Sequence, residues 1–463
     1  MKKIITIVLA VVMAVTMLAG CGIGGNTADG KVKIKIGEWP NKDTEPEKYE
    51  SWMKIKADFE AENPEVEIVP DTYKFDVKTF TAKAAAKQLP NHMRLPFTEV
   101  ENIIKSKYSL NLTDKLKEIG WYEYINPALH DIMTDDNGDY YVLPSMAYTF
   151  GLAINKKVFE EAGLVNDDGS VMLPETLEDI AKYGQQINEK TGKIGLAMPT
   201  IDNCGGWMFM PIAWDYGVEF MEESSDGKWE ATFDSQEMRD ALNFYKDLKW
   251  KYHAISNSTV ISNDERMKMY ATGQAGMMFG DLSGVDALVK NYGMDKNDII
   301  FTSMPKGPNG AYTLLGGAVI MVSANTTPEQ LDALFKWYKF TGTDPSQITD
   351  AELKVFEENL ALNIEQGKLV FEKDVFPSYI NDEVEAKKQP IRDKYVNVDM
   401  KNFENYYSFE NVELHPEEPK CCQQLYSVLD GCIQEILSNE NADIDDLVKK
   451  ANQDFQVNHL DKE

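Results

Sequence analysis

The chain has 463 residues, with 47 Lys and Arg set against 76 Asp and Glu, for a formal charge of −29 at pH 7. So acidic a chain is poorly equipped to build the basic patch that nucleic acid or anionic lipid requires, which disfavours both and leaves neutral or cationic partners. At about 100–200 residues per domain, the length points to two domains with ample cores.

Residues 1–20 have the layout of a signal peptide: Lys2 and Lys3, an apolar stretch from Ile4 to Met17, then small residues. The stretch falls short of the about 20 apolar residues that span a bilayer. Its ending, Leu18-Ala19-Gly20-Cys21, resembles the lipobox of bacterial lipoproteins, whose cysteine takes a diacylglyceryl group and becomes the mature N-terminus. Two acyl chains retain a protein on a membrane where one does not. The alternative is an uncleaved anchor with an incidental Cys21, and on either reading the bulk is exported. Residues 21–30, lacking apolar periodicity, read as a flexible tether. The other cysteines are Cys204, Cys421, Cys422 and Cys432. On a helix Cys421 and Cys432 stand about 16 Å apart, too far to bond, and no histidine sits at ligand spacing from the Cys421-Cys422 pair. Adjacent Cys421 and Cys422 could bridge only with strain, so mostly free, partly buried thiols are expected there, and neither a disulfide framework nor a metal site.

Lys31 to Ile36 alternates as a half-buried strand does, a helix is expected over Glu47 to Asn63, and Val66 to Val69 forms a second strand. Helices follow at Lys78 to Lys87 and at Thr98 to Ser106, the latter with Thr98 as a capping residue. Asp135-Asp136-Asn137-Gly138-Asp139 fails as a calcium loop, because Tyr140 stands where the sixth-position glycine belongs and Met146 where the twelfth-position glutamate belongs. It reads instead as a turn feeding Tyr140 to Leu143. An apolar run over Ala147 to Ile154 precedes a helix from Lys156 to Ala162, and Thr176 and Asp179 stand at capping-box spacing ahead of a helix to Thr191. Further strands are expected at Gly195 to Met198, Ala275 to Phe279, Ile299 to Met304 and Ala318 to Val322. Helices are expected at Ser235 to Tyr252, Asn263 to Gly273 and Thr327 to Thr341, with a mostly helical final third. Alternation of this kind indicates an α/β class.

Several local patterns resemble the extracellular solute-binding proteins of ABC importers, family 1, the maltose-binding-protein-like group. Gly138-Asp139-Tyr140-Tyr141-Val142-Leu143-Pro144 is similar to the family's Gly-Lys-x-Tyr-x-x-Pro hairpin, and Ile154-Asn155-Lys156-Lys157-Val158-Phe159-Glu160-Glu161-Ala162-Gly163-Leu164 to its Tyr-Asn-x-x-x-Phe-x-x-Ala-Gly-Leu segment. Pro174 to Asp179, Tyr270 to Gly280 and Gly316-Gly317 match three further stretches in order. Two departures are Asn91, where the family often has aspartate, and Leu177, where it usually has tryptophan.

The resemblance implies a periplasmic-binding-protein-like fold: two α/β lobes joined by hinge strands, with a ligand cleft between them. The first lobe would hold residues 31–150 plus 276–323 and the second 151–275 plus 324–463, with crossings near Phe150, Ala275 and Ser323. Hinge closure on a ligand would supply the state that a permease recognises. The implied protein is a monomeric receptor without a cofactor, held at the extracellular face of a bacterial cell membrane by lipid on Cys21, delivering a carbohydrate to ABC permease subunits.

A sugar offers apolar C–H faces and a rim of hydroxyls, so its site needs aromatic platforms and planar polar groups. Trp39, Tyr148, Trp207 and Trp214 fall where the family places cleft residues and are the platform candidates; core packing is the alternative for each. Thr98, Glu99 and Asp281 are hydroxyl-binding candidates, or else capping or solvated residues. Gly316 and Gly317 admit close backbone approach to a ligand, or form a turn. No HExxH, GxSxG or Walker-type pattern is present, so no catalytic or metal-binding residue is assigned. The alternatives to a sugar receptor are a receptor for a peptide or polyamine and a surface-anchored glycan-active enzyme.

Overall fold

The computed structural model describes residues 30–76, 78–374, 376–408 and 412–462. The signal peptide, Cys21 and the tether up to residue 29 lie outside the described residues. The chain divides into two compact units, a smaller one (up to Arg94, Lys107–Asn111, Ile320–Asp344) and a larger one (Leu95–Ser106, Leu112–Val319, Pro345–Glu463). This partition follows compactness. The expected lobes, with boundaries at 150, 275 and 323, follow hinge positions and remain a separate proposal.

In the smaller unit the alternation of residues 31–36 does what its period implies, burying Ile34 and Ile36. Strand Val32–Ile36 pairs in parallel with Val66–Pro70, Ile34 lying opposite Ile68, and Ile36 pairs with His92. Parallel pairing needs a crossover, and helix Pro46–Glu62 supplies it, with proline in its first turn. Phe59 of that helix meets Trp337 edge-on at 5.2 Å. Trp337 belongs to helix Pro328–Phe340, which opens on a reciprocal capping box between Thr327 and Gln330. Asn91 is a structural tie: its side chain accepts from Lys35 N at 2.8 Å and donates to Thr326 Oγ1 at 3.1 Å.

In the larger unit strand Val142–Asn155 runs antiparallel to Ala275–Asp281, Leu152 opposite Phe279, and to Ile299–Thr302. Strand Ile194–Ala197 lies parallel to Ala275–Asp281 on its far side. Helices cover these strands, and Phe150 to Asn155 are all buried, as expected where a sheet has both faces covered. The capping box of Thr176 and Asp179 forms and starts helix Leu177–Thr191. Asp135 Oδ1 accepts from the backbone N–H of Asn137 and Asp139, a local turn, and no metal-ligating cluster occurs among the described residues.

Two expectations are corrected. Thr98 caps nothing: a 3-10 turn over Phe97–Glu99 runs directly into helix Val100–Lys105 without a side-chain cap. The late strand begins at Tyr312 and not at Ala318, running to Val322 straight through Gly316-Gly317. Cys204, Cys422 and Cys432 carry free thiols. Among the described residues no helix is long and apolar enough to cross a membrane.

Candidate functional site

The larger unit gathers most of the expected residues around Tyr148. Tyr148 and Phe150 are two residues apart on strand Val142–Asn155, so their side chains leave the same face, and their rings stack 6.3 Å apart. Trp207 meets both edge-on, at 6.2 Å from Tyr148 and 4.7 Å from Phe150. Its position is set by helix Cys204–Asp215, whose N-terminus is capped from a distance. Asp430 accepts from Asn203 N and Gly206 N, each at 2.7 Å. Asp430 lies on helix Cys422–Ser438, and Gly206 lets the two helices touch, since a Cβ there would stand 2.4 Å from the Tyr426 carbonyl oxygen.

Gly316 and Gly317 serve this packing and form no turn. A Cβ at Gly316 would lie 2.6 Å from three atoms of the Tyr148 side chain, and one at Gly317 would lie 2.3 Å from the Met146 carbonyl oxygen and 2.5 Å from the Phe97 ring. The glycines let strand Tyr312–Val322 lie directly beneath Tyr148.

The cluster leaves polar atoms unspent. Neither the Tyr148 hydroxyl nor Trp207 Nε1 makes a hydrogen bond among the described residues, and both side chains are half-buried. Burial, then the nearby Glu417 and Asp281 charges, push the Tyr148 phenol well above its ordinary range, so it stays a neutral donor and acceptor. Asp281 caps helix Leu282–Tyr292 through Oδ1, which receives Ser283 N and Gly284 N, and Oδ2 makes no hydrogen bond among the described residues. Thr98 is 7% exposed with Oγ1 unpartnered among the described residues, an arrangement that costs about 1–3 kcal/mol until something bonds to it. Glu99, on the same turn, is half-buried.

Two platform candidates lie elsewhere. Trp39 is in the smaller unit's core, 1% exposed, edge-on to Trp52 at 5.0 Å and stacked on Trp337 at 6.4 Å. Trp214 is 3% exposed, stacked on His415 at 3.9 Å, and donates from Nε1 to Glu418. Both side chains are already buried against these neighbours, so neither is a platform in this arrangement. Burial raises the carboxyls behind Trp214 and Tyr148 to about 7, with Glu418 held by Trp214 and Glu417 by the Tyr426 hydroxyl.

Tyr148 also borders a cavity of about 500 Å³ within the larger unit. Phe356, Leu360, Phe371, Phe376, Tyr406 and Tyr407 supply its apolar wall. Its polar lining includes Thr149, Ser283, Asn363 and Ser378, and its charges come from Lys373, Asp374, Lys388 and Arg392. Sequence reasoning named only Tyr148 among these. The sole available signal was the density of aromatics and charges over residues 371–378 and the Tyr406-Tyr407 pair, in segments with no strong period. A concave site with aromatic walls and a few convergent polar groups holds a small polar molecule with apolar faces.

Over 341 residues the chain is 24% identical to the polygalacturonan/rhamnogalacturonan-binding protein YtcQ of Bacillus subtilis, covering 66% of this chain and 63% of that relative's length. It is 22% identical to a maltotriose-binding protein of Pyrococcus abyssi over 459 residues, 96% of this chain and 84% of the other. The fold matches the maltose-bound T. maritima MalE3 structure with a TM-score of 0.62 at 17% identity, covering 92% of this chain and 99% of that one. The family model for bacterial extracellular solute-binding proteins matches residues 42–348, more than half of the sequence, and the chain belongs to that family.

Proposed function

We propose that the protein is an extracellular receptor that captures a carbohydrate, an oligosaccharide, and hands it to the permease of an ABC importer. The observation that carries this reading is the Tyr148 and Trp207 pair: two adjacent rings with unspent polar atoms, of which Tyr148 borders a cavity walled by further aromatics. Rings stack on the C–H faces of sugars while their polar tips reach hydroxyls. Both curated relatives described above are named for sugar ligands. Thr98 Oγ1 and Asp281 Oδ2 are the further hydroxyl partners in this reading, and Glu99 stands with them.

The lipid anchor at Cys21, the two lobes and their closure belong to the same proposal. Cys21→Ala should release the protein from the membrane fraction into the medium. Small-angle scattering should show a smaller radius of gyration with ligand than without. The central test is a thermal-shift screen of the mature protein against sugar oligomers, peptides and polyamines. A ligand at 100 times its Kd adds about 2.7 kcal/mol to the native state. A shift with a peptide or polyamine and with no carbohydrate would end the sugar reading.

A further inference from the structure

In a chain of net charge −29, the cavity beside Tyr148 is locally the other sign: Lys373, Lys388 and Arg392 line it against a single carboxylate, Asp374. Net charge describes the long-range field, whereas recognition depends on the groups that touch the ligand. The aromatic wall holds these cations in place. Arg392 and Lys388 lie over the Phe356 ring, 5.7 and 5.8 Å from its centroid, and Lys373 Nζ lies 5.5 Å from that of Tyr407. Lys373 has no carboxylate partner among the described residues, and its side chain is exposed.

Arg392 is 5% exposed and already receives carboxylates. It donates to Glu385 Oε2 at 3.2 Å and to Asp374 Oδ2 at 3.3 Å, while its Nε–H makes no bond among the described residues. Glu385 comes from the same helix, Asp382–Arg392, and does not line the cavity. Asp374 does line it, with a side chain 68% exposed, on an irregular segment. A guanidinium that meets a long, solvent-exposed bond on its cavity side can exchange that carboxylate for another, because its planar fork suits any carboxylate presented in plane.

We infer that this cavity takes an acidic glycan, a sugar oligomer whose ring carries a carboxylate, as a uronic acid does. Lys373 and the cavity side of Arg392 meet the carboxylate, and Phe356, Phe371 and Tyr407 take the C–H faces of the rings. The inference rests on the carbohydrate-receptor reading and names its substrate class. On this assignment Asp374 competes with the ligand for Arg392, so its removal favours the ligand.

Titration calorimetry of the mature protein with trigalacturonate, maltotriose and glucose 6-phosphate tests it. Trigalacturonate should bind at least tenfold tighter than maltotriose. Lys373→Gln, at an exposed position, should weaken trigalacturonate about fivefold and weaken any maltotriose binding less, because a neutral sugar offers the lysine no charge. Asp374→Asn should strengthen trigalacturonate, and circular dichroism should show both variants folded. Maltotriose binding tighter than trigalacturonate, or Lys373→Gln weakening both alike, overturns the acidic-glycan assignment while leaving a sugar receptor. Glucose 6-phosphate binding in place of trigalacturonate overturns the carboxylate in favour of phosphate. Silence toward these and every other sugar overturns the receptor reading itself.

Discussion

Replacing Gly316 by alanine should cost binding, and replacing Gly317 by alanine should cost stability, although the residues are neighbours on one strand. The Gly316 Cβ would stand 2.6 Å from Cε2, Cζ and Oη of Tyr148, about 1 Å inside ordinary contact. All three atoms are at the far end of a rotatable side chain, so Tyr148 can swing aside at small cost to the fold. It then leaves Trp207 and the cavity edge, and ligand loses a stacking ring and a hydroxyl. The expected loss is about 1–2 kcal/mol of binding, roughly five- to thirtyfold in Kd. The Gly317 Cβ would meet the Met146 carbonyl oxygen at 2.3 Å, which is backbone and cannot rotate away. Shifting paired strands should cost about 1–3 kcal/mol or more, seen as a Tm lowered by several degrees. Calorimetry of binding and of unfolding on both variants checks this. The reasoning fails if Gly316→Ala binds as the wild type does, or if Gly317→Ala unfolds at the wild-type Tm.

Trp207→Phe keeps the ring that meets Phe150 but removes the open Nε1–H, so affinity should fall about three- to tenfold with Tm unchanged. An unchanged Kd in calorimetry would show that the donor faces water in the complex. Thr176→Ala removes one half of the reciprocal cap on helix Leu177–Thr191, and chemical denaturation should record a loss of about 1 kcal/mol. Glu418, raised from 4.5 to about 7, is neutral in both states below pH 4.5 and is penalised in the native state as pH rises through 7. The penalty approaches about 3 kcal/mol above that range, at 1.36 kcal/mol per unit. Glu418→Gln retains an acceptor for Trp214 Nε1, so it should raise Tm relative to wild type at pH 8 and not at pH 4; equal Tm differences at both would refute the titration.

Much of the fold was legible because its signals are local. The alternation of residues 31–36, the spacing of Thr176 and Asp179, and the long amphipathic helix realised as Gln236–Trp250 each depend on a few adjacent residues. For the Gly316-Gly317 pair only the turn alternative fails, and its cause is remote: the two glycines are extended so that Tyr148 can lie on them. The same distinction sorts the aromatic candidates. Trp39 and Trp214 have the right residue type, but Trp337 and His415, about 300 and 200 positions away, cover them. Tyr148 and Trp207 keep polar tips uncovered, and nothing within ten residues of either says so. The cavity's charges were missed because residues 371–378 and 404–408 have no period to place them, and because net charge is a poor guide to one pocket.

The opposition between the acidic field of the whole chain and the cations of the cavity has a kinetic consequence. An anionic ligand approaching a body of charge −29 is repelled until it is close, so added salt should raise its association rate. At 0.1 M salt the screening length is about 10 Å and at 1 M about 3 Å, so most of the repulsion disappears over that range. The same salt weakens the contact at Lys373, which is exposed, and acts less on Arg392, which is buried, so the dissociation rate should rise as well. Stopped-flow measurement with trigalacturonate should therefore show both rates climbing with salt and Kd changing less than either. Maltotriose should show neither rate moving. A Kd for trigalacturonate that tightens steadily with salt, with no rise in dissociation, would mean that repulsion is the only charge effect present and that the cations in the cavity do not touch the ligand.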